Sequence, residues 1–193
     1  MRSTPVKILI IDDDDDDFLI TKHYIESIQA EKFIIEWCSN YNQAIGHIQK
    51  GNFDLYFVDY RLGAKTGLDL LTDAISLGCE EPIVLLTGKG NHTIDLEAMQ
   101  RGAVDYLIKT ELSVEKLERC IRYALERSAT TKALRANERQ YRAIFEYSRD
   151  AIFLADQNLH FKNINKATAI LLQYNEEELT AKSLYDVLAD DES

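Results

Sequence analysis

The chain has 193 residues, 46% of them hydrophobic, and 33 acidic against 22 basic side chains give a net charge of −11. That length allows one to two domains with a real core, and that charge argues against a nucleic-acid-binding surface, which needs clustered Lys and Arg. No apolar run nears the ~20 residues of a membrane span.

The amino terminus, Met1-Arg2-Ser3-Thr4-Pro5, leads straight into an apolar run, with no signal peptide between. Cys38, Cys79 and Cys120 form no CxxC pair and are odd in number. They read as free thiols in a reducing compartment, so a cytoplasmic protein is expected. Short apolar runs occur at Val6–Ile11, Phe33–Trp37, Leu55–Val58, Ile83–Leu86 and Val104–Ile108. Helix-length stretches lie between them, at about 15–29, 41–50, 66–77, 91–101 and from 113 onward. Five strands alternating with five helices predict an α/β fold, a parallel sheet covered on both faces. Pro82 opens the fourth strand, and Gly51, Gly78 and Gly102 fall where helices should stop.

The first strand runs directly into six aspartates, Asp12–Asp17. Like charges crowd together at a cost unless something positive sits among them. Asp12 and Asp13, nearest the strand end, are the candidates for a hard divalent cation, and Mg²⁺ suits oxygen ligands of this kind. Asp15, Asp16 and Asp17 read as solvated residues capping the next helix. In an open parallel sheet, reactive residues collect at the carboxyl ends of the strands. Those ends offer Asp12-Asp13, Asp59, Thr87 and Lys109. Asp59 is a carboxylate able to attack phosphorus. Its charge repels a phosphoryl donor, and Mg²⁺ with the Lys109 ammonium offsets that repulsion. The Thr87 hydroxyl can donate to a phosphoryl oxygen.

From Ser113 to about Phe145 no Gly or Pro interrupts the chain. A continuous helix there would span roughly 50 Å. Leu117, Ile121, Ala124 and Leu125 give its first part an apolar face, whereas Glu126–Arg139 is mostly polar. A solvated linker and a two-stranded coiled coil both fit. Beyond it, Ala151–Ala155 and Leu159–Asn163 read as two strands joined by a turn at Asp156-Gln157-Asn158. Asn165–Tyr174 and Glu176–Leu188 read as helices.

Four ordered motifs give the first part a family resemblance. ILIIDDD at 8–14, DLYFVDYRLGAKTGLDLL at 54–71, PIVLLTGKG at 82–90 and GAVDYLIK at 102–109 resemble the receiver domains of bacterial two-component response regulators. The resemblance implies a flavodoxin-like, doubly wound five-stranded sheet of order 2-1-3-4-5 over residues 1–127. It implies phosphorylation at Asp59 by a phosphohistidine on a histidine kinase or histidine phosphotransfer protein. It implies Mg²⁺ on Asp12, Asp13, Asp59 and the backbone carbonyl of Arg61, phosphoryl contacts from Thr87 and Lys109, and a switch made of Thr87 and Tyr106. A phosphoacceptor module is expected, rather than an enzyme acting on other substrates. Residues 138–193 resemble the N-terminal part of a PAS domain, through ERQYRAIFEYSRDAIFLAD at 138–156 and NKATAILLQYNEEEL at 165–179, and read as a truncated domain. The helical linker at 113–145 would join the two and is a candidate homodimer contact; neither nucleic acid nor membrane is expected as a partner.

Two departures from the receiver pattern stand out. Thr110, not proline, follows Lys109, so a trans bond or a strained exception is expected there. Leu62-Gly63 replaces a common proline after Asp59 and should loosen that loop. Other readings fit less well. A small-molecule binder on this architecture needs a phosphate-cradling loop rich in Gly, Ser and Thr, the electrostatic opposite of Asp12–Asp17. A phosphohydrolase using Asp12 leaves Asp59 without a role. A pseudo-receiver that only binds partners leaves the complete reactive set unexplained.

Overall fold

Every strand of the main sheet divides its side chains between two cores. The computed structural model describes residues 4–88 and 92–190, with side chains 92–95 and 189–190 excepted. Lys89 and Gly90 of the third motif, and Asn91 at the expected start of the fourth helix, lie outside the described residues. The chain divides into two units, Met1–Lys132 and Ala133–Ser193.

In the first unit the strands are Val6–Ile11 (β1), Phe33–Cys38 (β2), Leu55–Asp59 (β3), Ile83–Thr87 (β4) and Asp105–Ile108 (β5). They pair in parallel in the order β2-β1-β3-β4-β5, the flavodoxin-like arrangement the motifs imply. Asp15–Glu26 (α1), Tyr41–Lys50 (α2), Gly67–Ser76 (α3), His92–Gln100 (α4) and Val114–Tyr147 (α5) alternate with them. Side chains of a strand point alternately to opposite faces. Leu9, Ile11, Tyr56, Val58, Ile83 and Leu85 therefore face one core with residues of α2, α3 and α4. Ile8, Ile10, Leu55, Phe57, Val84 and Leu86 face the other with residues of α1 and α5. Burial on both faces explains the unbroken apolar runs.

Helix ends follow local chemistry. Gly51, Gly78 and Gly102 take positive φ of 61°, 82° and 99°, as their stop positions require. The first helix stops at Glu26, short of the expected 29, where the Ser27 hydroxyl donates to the His23 carbonyl at 2.8 Å. Within the first unit α5 buries Leu117, Cys120, Ile121, Ala124 and Leu125, one stripe at helical spacing. The helix has 34 residues, and positions 133–144 are all exposed. Cys38, Cys79 and Cys120 are free thiols. No helix among the described residues is long and apolar enough to cross a membrane.

The second unit pairs Phe153–Ala155 (β6) antiparallel with Phe161–Ile164 (β7), followed by Lys166–Leu172 (α6), Glu176–Thr180 (α7) and Leu184–Asp190 (α8). Phe161, Ile164, Leu179 and Val187 form its core. Both strands start later than the sequence suggests. The Ile152 amide is taken by the Asn165 side chain at 3.0 Å, and Leu159, at φ 63°, still belongs to the turn. The single helix expected over 176–188 is two. Ser183 N–H and Oγ–H donate to Asp186 Oδ2 at 2.8 and 2.7 Å, and Asp186 N–H returns to Ser183 Oγ at 3.3 Å. This reciprocal capping starts a new helix at Leu184.

Candidate functional site

Strand order decides what meets at the carboxyl rim. β1 and β3 are neighbours, so Asp12 directly after one and Asp59 at the end of the other lie side by side. β4 and β5 continue the rim with Thr87 and, just past β5, Lys109. Asp12, Asp13, Asp59, Arg61, Thr87 and Lys109 all line one hollow of about 500 Å³.

Lys109 is its hub. Its ammonium donates to Asp12 Oδ2 at 2.7 Å and Asp17 Oδ2 at 2.7 Å, and pairs with Asp59 Oδ1 at 2.6 Å. Asp12 and Asp59 are buried, as is Thr87. The other Asp59 oxygen accepts the Arg61 N–H at 2.7 Å. Burial pushes the Asp12 carboxyl up to about 6, against the pull of Lys109 and the Asp14 N–H. Burial likewise raises Asp59, again opposed by Lys109. Burial alone would lower Lys109, but its three carboxylate partners outweigh it and hold the ammonium above the ordinary lysine range.

Asp12, Asp13 and Asp59 each offer a carboxylate oxygen, and these atoms lie within 4.8 Å of one another. An all-oxygen, anionic donor set of this kind fits a hard divalent cation. Asp14, Asp15 and Asp16 form a second acidic group, but all three are exposed. Asp14 caps α1 by accepting the N–H groups of Asp16 and Asp17 at 2.9 and 3.2 Å.

Two expectations need correcting, the capping role of Asp15–Asp17 and the loosened loop after Asp59, whereas the peptide after Lys109 and the place of Tyr106 contradict none. Asp17 is not merely a solvated capping residue, because it reaches Lys109. The cap itself is Asp14. The Leu62-Gly63 loop is tied down. Arg61–Leu62 pairs antiparallel with Lys65–Thr66, Leu62 is buried, and Gly63 N–H donates to Asp13 Oδ2 at 3.0 Å. Asp13 is thereby held by the segment that follows Asp59. The Lys109–Thr110 peptide is trans, and residues Lys109–Glu111 form a single 3₁₀ turn. Tyr106 does not line the acidic hollow. It is half-buried on β5 beside the α2–α4 core, and it borders a separate hollow with Lys116, Arg119 and Tyr123.

Two supporting residues escaped the sequence reading. Trp37 Nε1 donates to the Asp12 backbone carbonyl at 2.9 Å, and its ring stacks on Phe18 with centroids 5.1 Å apart. Gly67 starts α3 against the backbone of Asp59, and a Cβ there would collide with the Asp59 carbonyl oxygen. The glycine of the 54–71 motif was the available signal for the second; the first had none.

The sequence model of the response regulator receiver domain matches residues 8–122. The chain belongs to the response regulator receiver family. A second model, the PAS fold, matches residues 139–193. The receiver is 28% identical over 111 residues to the two-component response regulator PhoP of Pseudomonas aeruginosa, covering 58% of this chain and 49% of PhoP. The chain thus spans about half the length of that relative. Among solved structures, a two-component response regulator from Clostridium difficile is 32% identical with a TM-score of 0.55, covering 63% of this chain and 97% of that one. A CheY-like receiver domain protein from Methanospirillum hungatei shares the fold at 23% identity and a TM-score of 0.57, covering 66% of this chain and 99% of that one.

Proposed function

We propose that this receiver takes a phosphoryl group onto Asp59 from a phosphohistidine on a histidine kinase or phosphotransfer protein. The observation that carries the reading is Lys109 bridging Asp12 and Asp59 at one end of the sheet. An Asp59 oxygen attacks phosphorus, the P–N bond breaks, and the imidazole leaves with the bonding pair. Lys109 neutralises the nucleophile's surroundings and is placed to meet a phosphoryl oxygen. Thr87 supplies a hydroxyl on the same rim. Asp12, Asp13, Asp59 and the Arg61 carbonyl would hold Mg²⁺, which when bound supplies positive charge for the transferring group. No external base is needed, because an ionised carboxylate is already the nucleophile.

The test is intact-mass measurement after incubation with acetyl phosphate and Mg²⁺. One phosphoryl group should add to the parent and none to Asp59→Asn. Equal uptake by the variant would sink the assignment, and would favour a phosphohydrolase-like Asp12 nucleophile. No uptake by either would favour a pseudo-receiver.

In this reading phosphorylation is relayed through Thr87 and Tyr106 to the packing of Leu117 and Ile121, and along α5 towards the PAS part. Hydrogen exchange across 113–145 tests it: random-coil rates with and without phosphorylation would exclude a helical relay. The exposed stretch 133–144, with Leu134, Tyr141 and Ile144, is the proposed homodimer contact in a cytoplasmic protein. Sedimentation that gives a monomer at all accessible concentrations would remove it.

A further inference from the structure

We infer that Asp17 is a positioning residue that holds Lys109 and makes phosphoryl transfer sensitive to the charge of the donor. The inference rests on the reading of Asp59 as the phosphoacceptor. Of the first-turn aspartates Asp15, Asp16 and Asp17, only Asp17 contacts Lys109 among the described residues. Its place is fixed from below, because Asp14 accepts its N–H at 3.2 Å and so sets the start of α1. Its carboxylate and that of Asp59 meet on the same Nζ, at 2.7 and 2.6 Å. Asp17 therefore puts a full negative charge within two hydrogen-bond lengths of the Asp59 oxygen.

The arrangement has two effects on the same ammonium. Asp17 anchors Lys109 beside Asp59, so the cation is in place before a donor arrives. It also shares that cation, so an incoming phosphoryl group must compete for it. With Asp12, Asp13, Asp14 and Asp59, it brings the carboxylates lining the hollow to five, against Lys109 and the exposed Arg61 among the described residues. Repulsion of the donor then scales with the donor's own charge. Donors whose phosphoryl charge is offset by nearby protein cations are penalised least, and a free dianion most.

Two small donors separate these charges. Acetyl phosphate is a dianion near neutral pH; its P–O bond breaks and acetate leaves with the pair. Phosphoramidate is a zwitterion with one net negative charge; its P–N bond breaks and ammonia leaves with the pair. In both cases an Asp59 oxygen gains the phosphoryl group, and no other reactant is consumed.

The experiment measures phosphorylation rates of the full chain with each donor, at Mg²⁺ saturating for every variant. Asp17→Asn should raise the acetyl phosphate rate roughly 3- to 10-fold and the phosphoramidate rate by less, given a charge a few ångströms away and partly screened. Asp17→Glu, which keeps the charge, should retain the parent's ratio of the two rates. Asp16→Asn, which removes the same charge one residue away, should also retain it. Asp17→Ser replaces the amide variant should that one not fold. Equal factors for both donors in Asp17→Asn or Asp17→Ser, or the same change of ratio in Asp16→Asn, overturn the inference while Asp59 labelling in the parent leaves the underlying reading intact. Absence of Asp59 labelling in the parent overturns both.

Discussion

The two units bury polar groups in opposite ways. The first buries the ionisable side chains Asp12 and Asp59, along with Thr87, at the rim of a sheet covered on both faces. The second, among the described residues, buries neutral ones: Asn165, Thr168 and Ser183. In the first, one ammonium serves three carboxylates and the charges do not balance. In the second, the bonding is reciprocal and local. Asn165 Oδ1 accepts from the Ile152 and Thr168 amides at 3.0 Å each, and its Nδ2 donates to the Asp150 carbonyl at 2.9 Å. Unbalanced charge is costly to bury and is tolerated where surrounding backbone fixes it. It is also what leaves capacity for a cation or a phosphoryl group. A satisfied neutral network holds chain segments together and offers a ligand little.

The strongest way to break this contrast is Lys109→Met. Removing the cation that, among the described residues, pairs with these carboxylates should cost about 3–5 kcal/mol in metal-free protein at neutral pH. The loss should shrink at pH 5, as Asp12 takes up a proton. Denaturant unfolding at the two pH values measures both; a cost independent of pH would mean that the carboxylates are not the strained partners.

A somewhat smaller effect concerns Asp12 alone. Its folded-state value, about 6, lies above the ordinary 3.8, so the native state holds a proton that the unfolded chain has released. The stability this confers is fully present below pH 3.8 and is lost as pH rises through about 6. Asp12→Asn should lack that slope and be the more stable protein at pH 7 without metal, by at most about 3 kcal/mol. Mg²⁺ should stabilise the parent more than the variant. A parent and variant with parallel pH–stability curves would remove Asp12 from the buried titrating groups.

The smallest effect sharpens the other side. Asn165→Ala removes the side-chain acceptor of the Ile152 and Thr168 amides and with it the cap of α6, and should cost about 0.5–2 kcal/mol. Faster hydrogen exchange at Ile152 and Thr168 should accompany it. Phosphorylation of Asp59 should be unchanged.

The sheet and its reactive rim were legible because both follow from short-range pattern. Apolar runs of strand length marked β1 to β5, and the candidate residues at their carboxyl ends do meet around one hollow. Less legible was anything set by distant contacts. Asp17 looked like its neighbours in a run of identical residues, and its partner Lys109 lies 92 positions away. Trp37 serves Asp12 through a backbone carbonyl, which no sequence pattern records. The break between α7 and α8 was a different kind of miss. Ser183-Leu184-Tyr185-Asp186 is a readable capping box, but without Gly or Pro nearby the apolar periodicity suggested one continuous helix.

Trp37 is also the chain's single tryptophan. Its indole N–H is bonded to the carbonyl of Asp12, and its ring lies half-exposed on Phe18. The protein therefore has an intrinsic optical probe one bond from the acidic rim. Its emission should shift when the first strand's terminus moves, so occupancy of the rim can be followed in real time, with no dye attached and no residue replaced.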